Sequence, residues 1–337
     1  CHLEDGSRYG ACDWRGNYCQ SLADKLNHII FIILITGSGT YMFKGIPSKR
    51  TAIIIATLCT IVWSSSFIVI KIGLEEIPAM PFAGLRYIMA AIFMLPFLFQ
   101  KGHVQSIRQL TKKDMIVLVI LGLLTYPLNQ GCLFLAMSYL PNATVSLITN
   151  MNPVFLAVLG GIFLNEHLKG SQFAGIGLTV VGALVFFLPL TGDVSGIGIV
   201  YSLITLFSNV IGVIFTRKML KTGNYPVVVV TGLPMVFGAV MLGSVSGFWD
   251  WIPHINLTLL AILIFLSLFN TTIAFTVWNV ALQRLTAIEA NVISNTMLVQ
   301  IALLSWIFLG EAVTWKMAAG MALVISGVIL VTIKGDR

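Results

Sequence analysis

From Thr51 to Ile333 the chain is a nearly unbroken series of apolar runs, each close to the thickness of a bilayer. A hydrocarbon core of about 30 Å is crossed by roughly 20 apolar residues in a helix. Inside that core every backbone N–H and C=O must find its partner within the segment, so runs of this kind fold as helices. Read between polar or Pro/Gly punctuation, the runs fall at 51–73, 81–99, 115–139, 142–164, 170–188, 196–219, 226–247, 258–283, 286–309 and 315–333. The composition agrees: 57% of residues are hydrophobic and 10% charged, against about 25% charged in a soluble domain. The sequence therefore predicts an all-α membrane protein with ten transmembrane helices and almost no room for a soluble domain.

The net charge of +7 does not point to nucleic acid, because its lysines and arginines are scattered over short loops rather than gathered on one face. If the segment before Thr51 is cytoplasmic, fourteen of them fall on the inner side, and only Lys71 and Lys316 on the outer. Such a bias orients membrane proteins with the basic loops inside. It places Trp249 and Trp251 at the outer end of the seventh helix, where interfacial aromatics belong. Residues 1–50 form a leader, polar to Asn27 and then briefly apolar. It reads as a short extra helix, a signal-like segment or, the favoured reading, sequence foreign to the working protein. The five cysteines, at 1, 12, 19, 59 and 132, show no CxxC spacing, so no metal site is expected.

IFLNE at 162–166 returns as IFLGE at 307–311, and the correspondence extends well beyond those residues. With residue n laid over residue n+145, Asn150 meets Asn295, Glu166 meets Glu311, Gly175 meets Gly320 and Gly182 meets Gly327. Between 133 and 186, 15 of 54 positions are identical without a gap. Apolar bias inflates such a count, but it cannot set Asn, Glu and two Gly in register. The chain therefore divides into halves at 51–190 and 195–334. Each half holds five helices, an odd number, so the second enters the membrane in the opposite sense. Inverted repeats of this kind place a solute site near the midplane between the halves and permit alternating access.

Several stretches resemble one family. WSSSFIVIK at 63–71 is similar to the first-helix signature of the EamA family of the drug/metabolite transporter superfamily, written Trp-Gly-Ser-x-Phe with a Lys downstream. GLRY at 84–87 resembles its Ala-Leu-Arg-Phe, and 164–187 and 309–331 resemble the Glu-containing repeat end with its Gly-bearing next helix. The resemblance covers Thr51 to Ile333. Ser64 departs from the customary Gly, and the leader has no counterpart. The resemblance implies a bacterial inner-membrane carrier with both termini cytoplasmic, most often an exporter of amino acids or related metabolites. It also implies end helices that pack peripherally or against a second protomer, as a homodimer.

Candidate solute-binding residues are mostly neutral amides at membrane depth: Asn150 and Asn295, which the repeat pairs at the midplane, then Asn129, Asn270 and Asn291. Asn152, Asn209, Asn279, Gln130 and Gln300 belong to the same set. Amides in hydrocarbon must bond to other helices or to a hydrated cavity. Arg86, about five residues inside the second helix, lies roughly 7–8 Å deep at 1.5 Å per residue. Such a charge faces the bundle, or snorkels to headgroups with a partner such as Glu75 or Glu76. Glu289 is the one carboxylate placed inside a helix. Trp63 and Trp278 lie away from the interfaces, able to stack on a solute or simply to pack. Pro127, Pro153 and Pro234 interrupt helices, as hinges or as packing kinks. Glu166 and Glu311 are placed to cap the next helix in each half, and Gly175, Gly182, Gly320 and Gly327 permit close helix contact.

These features describe a secondary carrier for a small neutral or zwitterionic, amino-acid-like solute, moved outward as the resemblance implies, with multidrug efflux of lipophilic compounds as the alternative. No GxxxxGK[ST] motif occurs, so ATP is not the direct driver, and no cofactor is expected. An intramembrane enzyme lacks its base: all five His residues lie in the leader or loops, and neither HExxH nor GxSxG is present. The expected partners are a small-molecule solute and the lipid bilayer.

Overall fold

The computed structural model describes residues 46–164, 170–187, 195–309 and 314–333. The leader up to residue 45, Glu166 and Glu311 lie outside the described residues. Among these residues ten helices are long and apolar enough to cross a membrane: α1 (Lys49–Ile70), α2 (Ala79–Leu98), α3 (Lys112–Tyr139), α4 (Thr144–Leu164), α5 (Gly170–Phe187), α6 (Gly196–Thr222), α7 (Val227–Ser246), α8 (Leu257–Leu282), α9 (Ala287–Leu304) and α10 (Trp315–Thr332). All match a predicted run to within a few residues. A short helix, Lys101–Arg108, joins α2 to α3 and was not expected.

Local chemistry sets the helix ends. The side chains of Ser48, Thr111, Asn256 and Thr286 each accept the backbone N–H three residues on, in the first turns of α1, α3, α8 and α9. Those donors have no partner inside the helix. Proline occupies the N-cap position before α2 and α7. Gly223 and Gly247, at φ +66° and +64°, close α6 and α7 in the left-handed region that a side chain disfavours.

Two departures from regular helix recur in both halves. The third helix of each half carries a π-helical segment, Leu124–Gly131 in α3 and Leu266–Ile273 in α8. In α3, Pro127 lacks the N–H that the carbonyl five residues back, Gly122, would take in a π register. That carbonyl lies against Gly238 of α7, where a Cβ would meet it at 2.5 Å. In α8, Thr271 and Thr272 donate their hydroxyls to the carbonyls of Leu266 and Ser267, five residues back. The fourth helix of each half is broken. α4 consists of Asn142–Thr149 and Asn152–Leu164, and α9 of Ala287–Ser294 and a second piece beginning at Thr296. Asn150 and Asn295, the repeat equivalents, sit at the two breaks.

α5 and α10 pack closely along their glycines. A Cβ on Gly182 would meet the Gly320 carbonyl at 2.8 Å, and one on Gly175 the Gly327 carbonyl at 2.7 Å. The four glycines singled out in the sequence thus face one another within the chain. The apolar core is not evenly distributed. At the end carrying Lys112 and Arg217, the basic end, one cluster joins α1, α3, α6, α7, α8 and α9 through Ala56, Leu121, Leu220, Val230, Leu282 and Ile293. At the far end the clusters are separate, one around Phe82 and Leu263 from α2 and α8, another around Ala136 and Val145 from α3 and α4.

Candidate functional site

Between the halves lies a cavity of about 720 Å³, lined among the described residues by α1–α4 and α6–α9 and by no residue of α5 or α10. Leu121, Val230 and Leu282 belong both to its wall and to the apolar cluster at the basic end, which forms its floor. Leu74, Met137 and Leu304 line it toward the far end. The cavity thus reaches through much of the bundle and is sealed by packed side chains at one end.

Its wall combines amides with aromatic rings. Asn129 and Gln130 come from the π segment of α3, Asn152 from the break in α4, Asn209 from α6, Asn279 from α8 and Asn291 from α9. Asn279 donates to Thr231 Oγ1 at 2.8 Å. The Oδ1 atoms of Asn152 and Asn291 are buried with no hydrogen-bond partner among the described residues. A buried donor or acceptor without a partner costs about 1–3 kcal/mol, and Asn270 Oδ1 and Asn295 Nδ2 share that condition outside the wall. The Trp63 and Trp278 rings lie 5.0 Å apart, tilted by 50°, with Phe275 edge-on to Trp63 at 5.4 Å. All three rings line the cavity. Trp63 is held in place by its Nε1–H, which donates to the Asn270 carbonyl at 2.9 Å.

The structure brings together Asn129, Asn291, Trp63, Trp278, Arg86 and Pro234 in the wall. It leaves other predicted residues out of it. Asn150 turns back on its own helix, donating to the Ser146 carbonyl at 2.7 Å. Asn295 is buried at the α9 break outside the wall. Asn270 is fully buried and clasps α1, its Nδ2 donating to the Val62 carbonyl at 3.1 Å. Glu289 is committed twice over: it closes a capping box with Thr286 and pairs with Lys49 of α1 at 3.0 Å. Neither interaction leaves it facing the cavity, and Glu289 stands in the structure as a helix cap and ion-pair partner rather than among the lining residues. Pro127 and Pro153 act on the backbone nearby, within the α3 π segment and just past the α4 break. Gln300 ties α9 to α1 through Thr60 and Ser64. Ser64, where the family pattern has Gly, is fully buried and bonded rather than a gap in packing. Tyr87, Tyr126, Phe275, Ser208 and Ser294 also line the cavity and were not foreseen. In helices apolar on all sides, nothing in the periodicity marks which face is wet.

Among the described residues Arg86 is the one charged group in this wall. Only 6% of it is exposed, and its Nε donates to Thr271 Oγ1 at 3.1 Å. α8 holds the α2 backbone at the same level, Ser267 donating to the Arg86 carbonyl at 2.8 Å and Thr272 to that of Ala90 at 3.0 Å. The snorkelling alternative is therefore not what the side chain does. Glu76, one of its suggested partners, accepts instead from Asn256 at 3.0 Å.

A ten-helix bundle of two inverted repeats around a solute-sized cavity defines a multi-pass membrane transporter. The chain matches the EamA-like transporter family at residues 50–188 and again at 196–333, and belongs to it. It is 26% identical over 285 residues, covering 81% of this chain and 92% of the relative, to a Salmonella typhimurium protein named a probable amino-acid metabolite efflux pump. An Escherichia coli protein of the same name is 26% identical over 68% of this chain and 78% of its own. An uncharacterized transporter of Bacillus subtilis is 27% identical over 86% of this chain and 94% of its own. A solved crystal structure shares the fold with a TM-score of 0.68 at 18% identity, covering 86% of this chain and all of that one.

Proposed function

We propose that the chain is a secondary carrier that exports small neutral or zwitterionic, amino-acid-like metabolites by alternating access between its two repeats. The observation that carries this reading is the cavity itself, walled by both halves with amides and clustered rings and floored at one end only. Its largely uncharged polar lining suits a dipolar solute, and a single arginine is too little charge for a phosphorylated sugar. The names of the Salmonella and Escherichia relatives support amino-acid metabolites as the class. With the basic loops cytoplasmic, the protein is a multi-pass protein of the cell (inner) membrane with both termini inside, and the conformation described is open outward.

Alternating access then requires the basic-end cluster to part while the far-end clusters of α2/α8 and α3/α4 come together. Three polar links cross that same inner end: Lys49 to Glu289, Arg217 to the Gln283 carbonyl at 2.9 Å, and Tyr225 to Asp114 at 2.6 Å. The bond to Asp114 raises the Tyr225 hydroxyl above its ordinary range.

The test is uptake into proteoliposomes across a panel of amino acids, purines and cationic dyes. Saturable, mutually competing uptake of amino acids is expected, with dyes excluded. Asn129→Ala and Asn291→Ala should each raise KM about 2- to 12-fold, the equivalent of ~0.5–1.5 kcal/mol for a neutral hydrogen bond. Carriage of dyes with no competition from amino acids would instead establish the lipophilic efflux alternative.

A further inference from the structure

Arg86 is a buried charge that the fold orients without neutralising. Among the described residues it makes no ion pair, since the ion pair found there is Lys49–Glu289. Its Nε is taken by Thr271 Oγ1, whose own hydroxyl proton goes to the Leu266 carbonyl. Its guanidinium carbon stands 5.4 Å from the Tyr87 ring centroid. No hydrogen bond from its two terminal nitrogens to any described residue accompanies these contacts, and the side chain lines the cavity. A guanidinium fixed at Nε presents its remaining edge, two parallel N–H donors, with the spacing of a carboxylate. Burial of a cation without a counterion is costly, and an anion supplied by the solute would remove that cost.

We infer that Arg86 is a carboxylate anchor, so that the solutes taken by this cavity carry a carboxylate group. This deepens the reading as an amino-acid carrier and rests on it for the direction and consequence of transport, though not for binding. It also defines what the cavity rejects: amides, esters and amines of otherwise the same shape lack the anion that the two N–H groups await. Thr271 is a positioning residue, acting through the orientation of the guanidinium.

The experiment uses the purified full chain in nanodiscs and two matched pairs of probes, L-phenylalanine with L-phenylalaninamide and benzoate with benzamide, titrated by calorimetry. Each acid is expected to bind at least about tenfold more tightly than its amide, the usual advantage of a charge-assisted bidentate pair. Arg86→Gln should bring the acids down toward the level of the amides and change the amides far less than the acids. Arg86→Lys should restore part of the preference, and Thr271→Val should narrow it without abolishing it. The inference is overturned if neither acid binds, if acids and amides bind alike, or if Arg86→Gln weakens both members of a pair equally. Should Arg86→Gln fail to fold, the acid–amide comparison in the parent and the Thr271→Val variant decide. Amino-acid uptake that survives Arg86→Gln at the parental rate sinks the anchor and leaves the carrier reading standing. Benzoate binding lost in Arg86→Gln, with no amino-acid uptake by the parent, does the reverse.

Discussion

The residue scale separates groups that line the cavity from groups that hold helices. Asn129, Asn152 and Asn291 reach the cavity, while Asn150, Asn270 and Glu289 hold backbone or a neighbouring helix. All are polar groups at membrane depth, and in the sequence they look alike. What differs is direction: Asn150 caps the first piece of α4 and Asn152 begins the second, so the break between them sends the two side chains to different places although they are only two positions apart. Glu289 carries a prediction at this scale. With Lys49 it closes an inner contact whose side chains are 20% and 4% exposed. Glu289→Gln should keep most of the cap yet lose the ion pair, lowering thermal stability in detergent by about 1–3 kcal/mol. It should also make a cysteine placed at Leu121 more reactive to a reagent added at the basic end. An unchanged melting curve together with unchanged labelling would show that the pair is no latch.

Helix packing decides at the next scale which spans frame the cavity and which stay outside. α5 and α10 approach so closely at Gly182 and Gly320 that their backbones touch, and neither contributes to the cavity wall. Gly182→Ala, with its Cβ 2.8 Å from the Gly320 carbonyl, should push the pair apart and cost about 1–3 kcal/mol in a melting experiment. Gly177, with nothing near its would-be Cβ, serves as the control and should tolerate Ala. The glycines were legible in the sequence because the repeat set them in register. The π segments were not. A change from four-residue to five-residue bonding leaves the apolar composition untouched and moves only the phase of the residues beyond it, and in a helix apolar on every side that phase has no sequence marker. Pro127 hinted at an irregular α3, whereas α8 reaches the same shape with Thr271 and Thr272 and no proline.

For the whole molecule, the difference between the two ends is the consequential feature. Six spans share one apolar cluster at the basic end, and the far-end clusters stay apart. If this is one of two exchanging arrangements, single cysteines at Leu74 and Met137 should react with an impermeant thiol reagent applied at the far end, in a background with all five native cysteines replaced. A saturating solute should change that reactivity severalfold. Labelling that no solute alters would fit a fixed vestibule and not a carrier. The same method checks orientation: residues 101–108 and 217–221 should emerge together on the cytoplasmic side.

Helix number, the doubling and the opposed sense of the halves were all legible in the sequence, because the bilayer enforces helix length and the repeat preserves register. The sequence also carried the family resemblance and most of the amides that line the cavity. Which of them line the cavity, how Arg86 is turned toward it, and which end is sealed were decided only in three dimensions. Those properties depend on rotation about helix axes and on contacts between spans far apart in the chain, such as Thr60 with Gln300. Local hydrophobicity cannot encode either one when lipid and packed core are equally apolar.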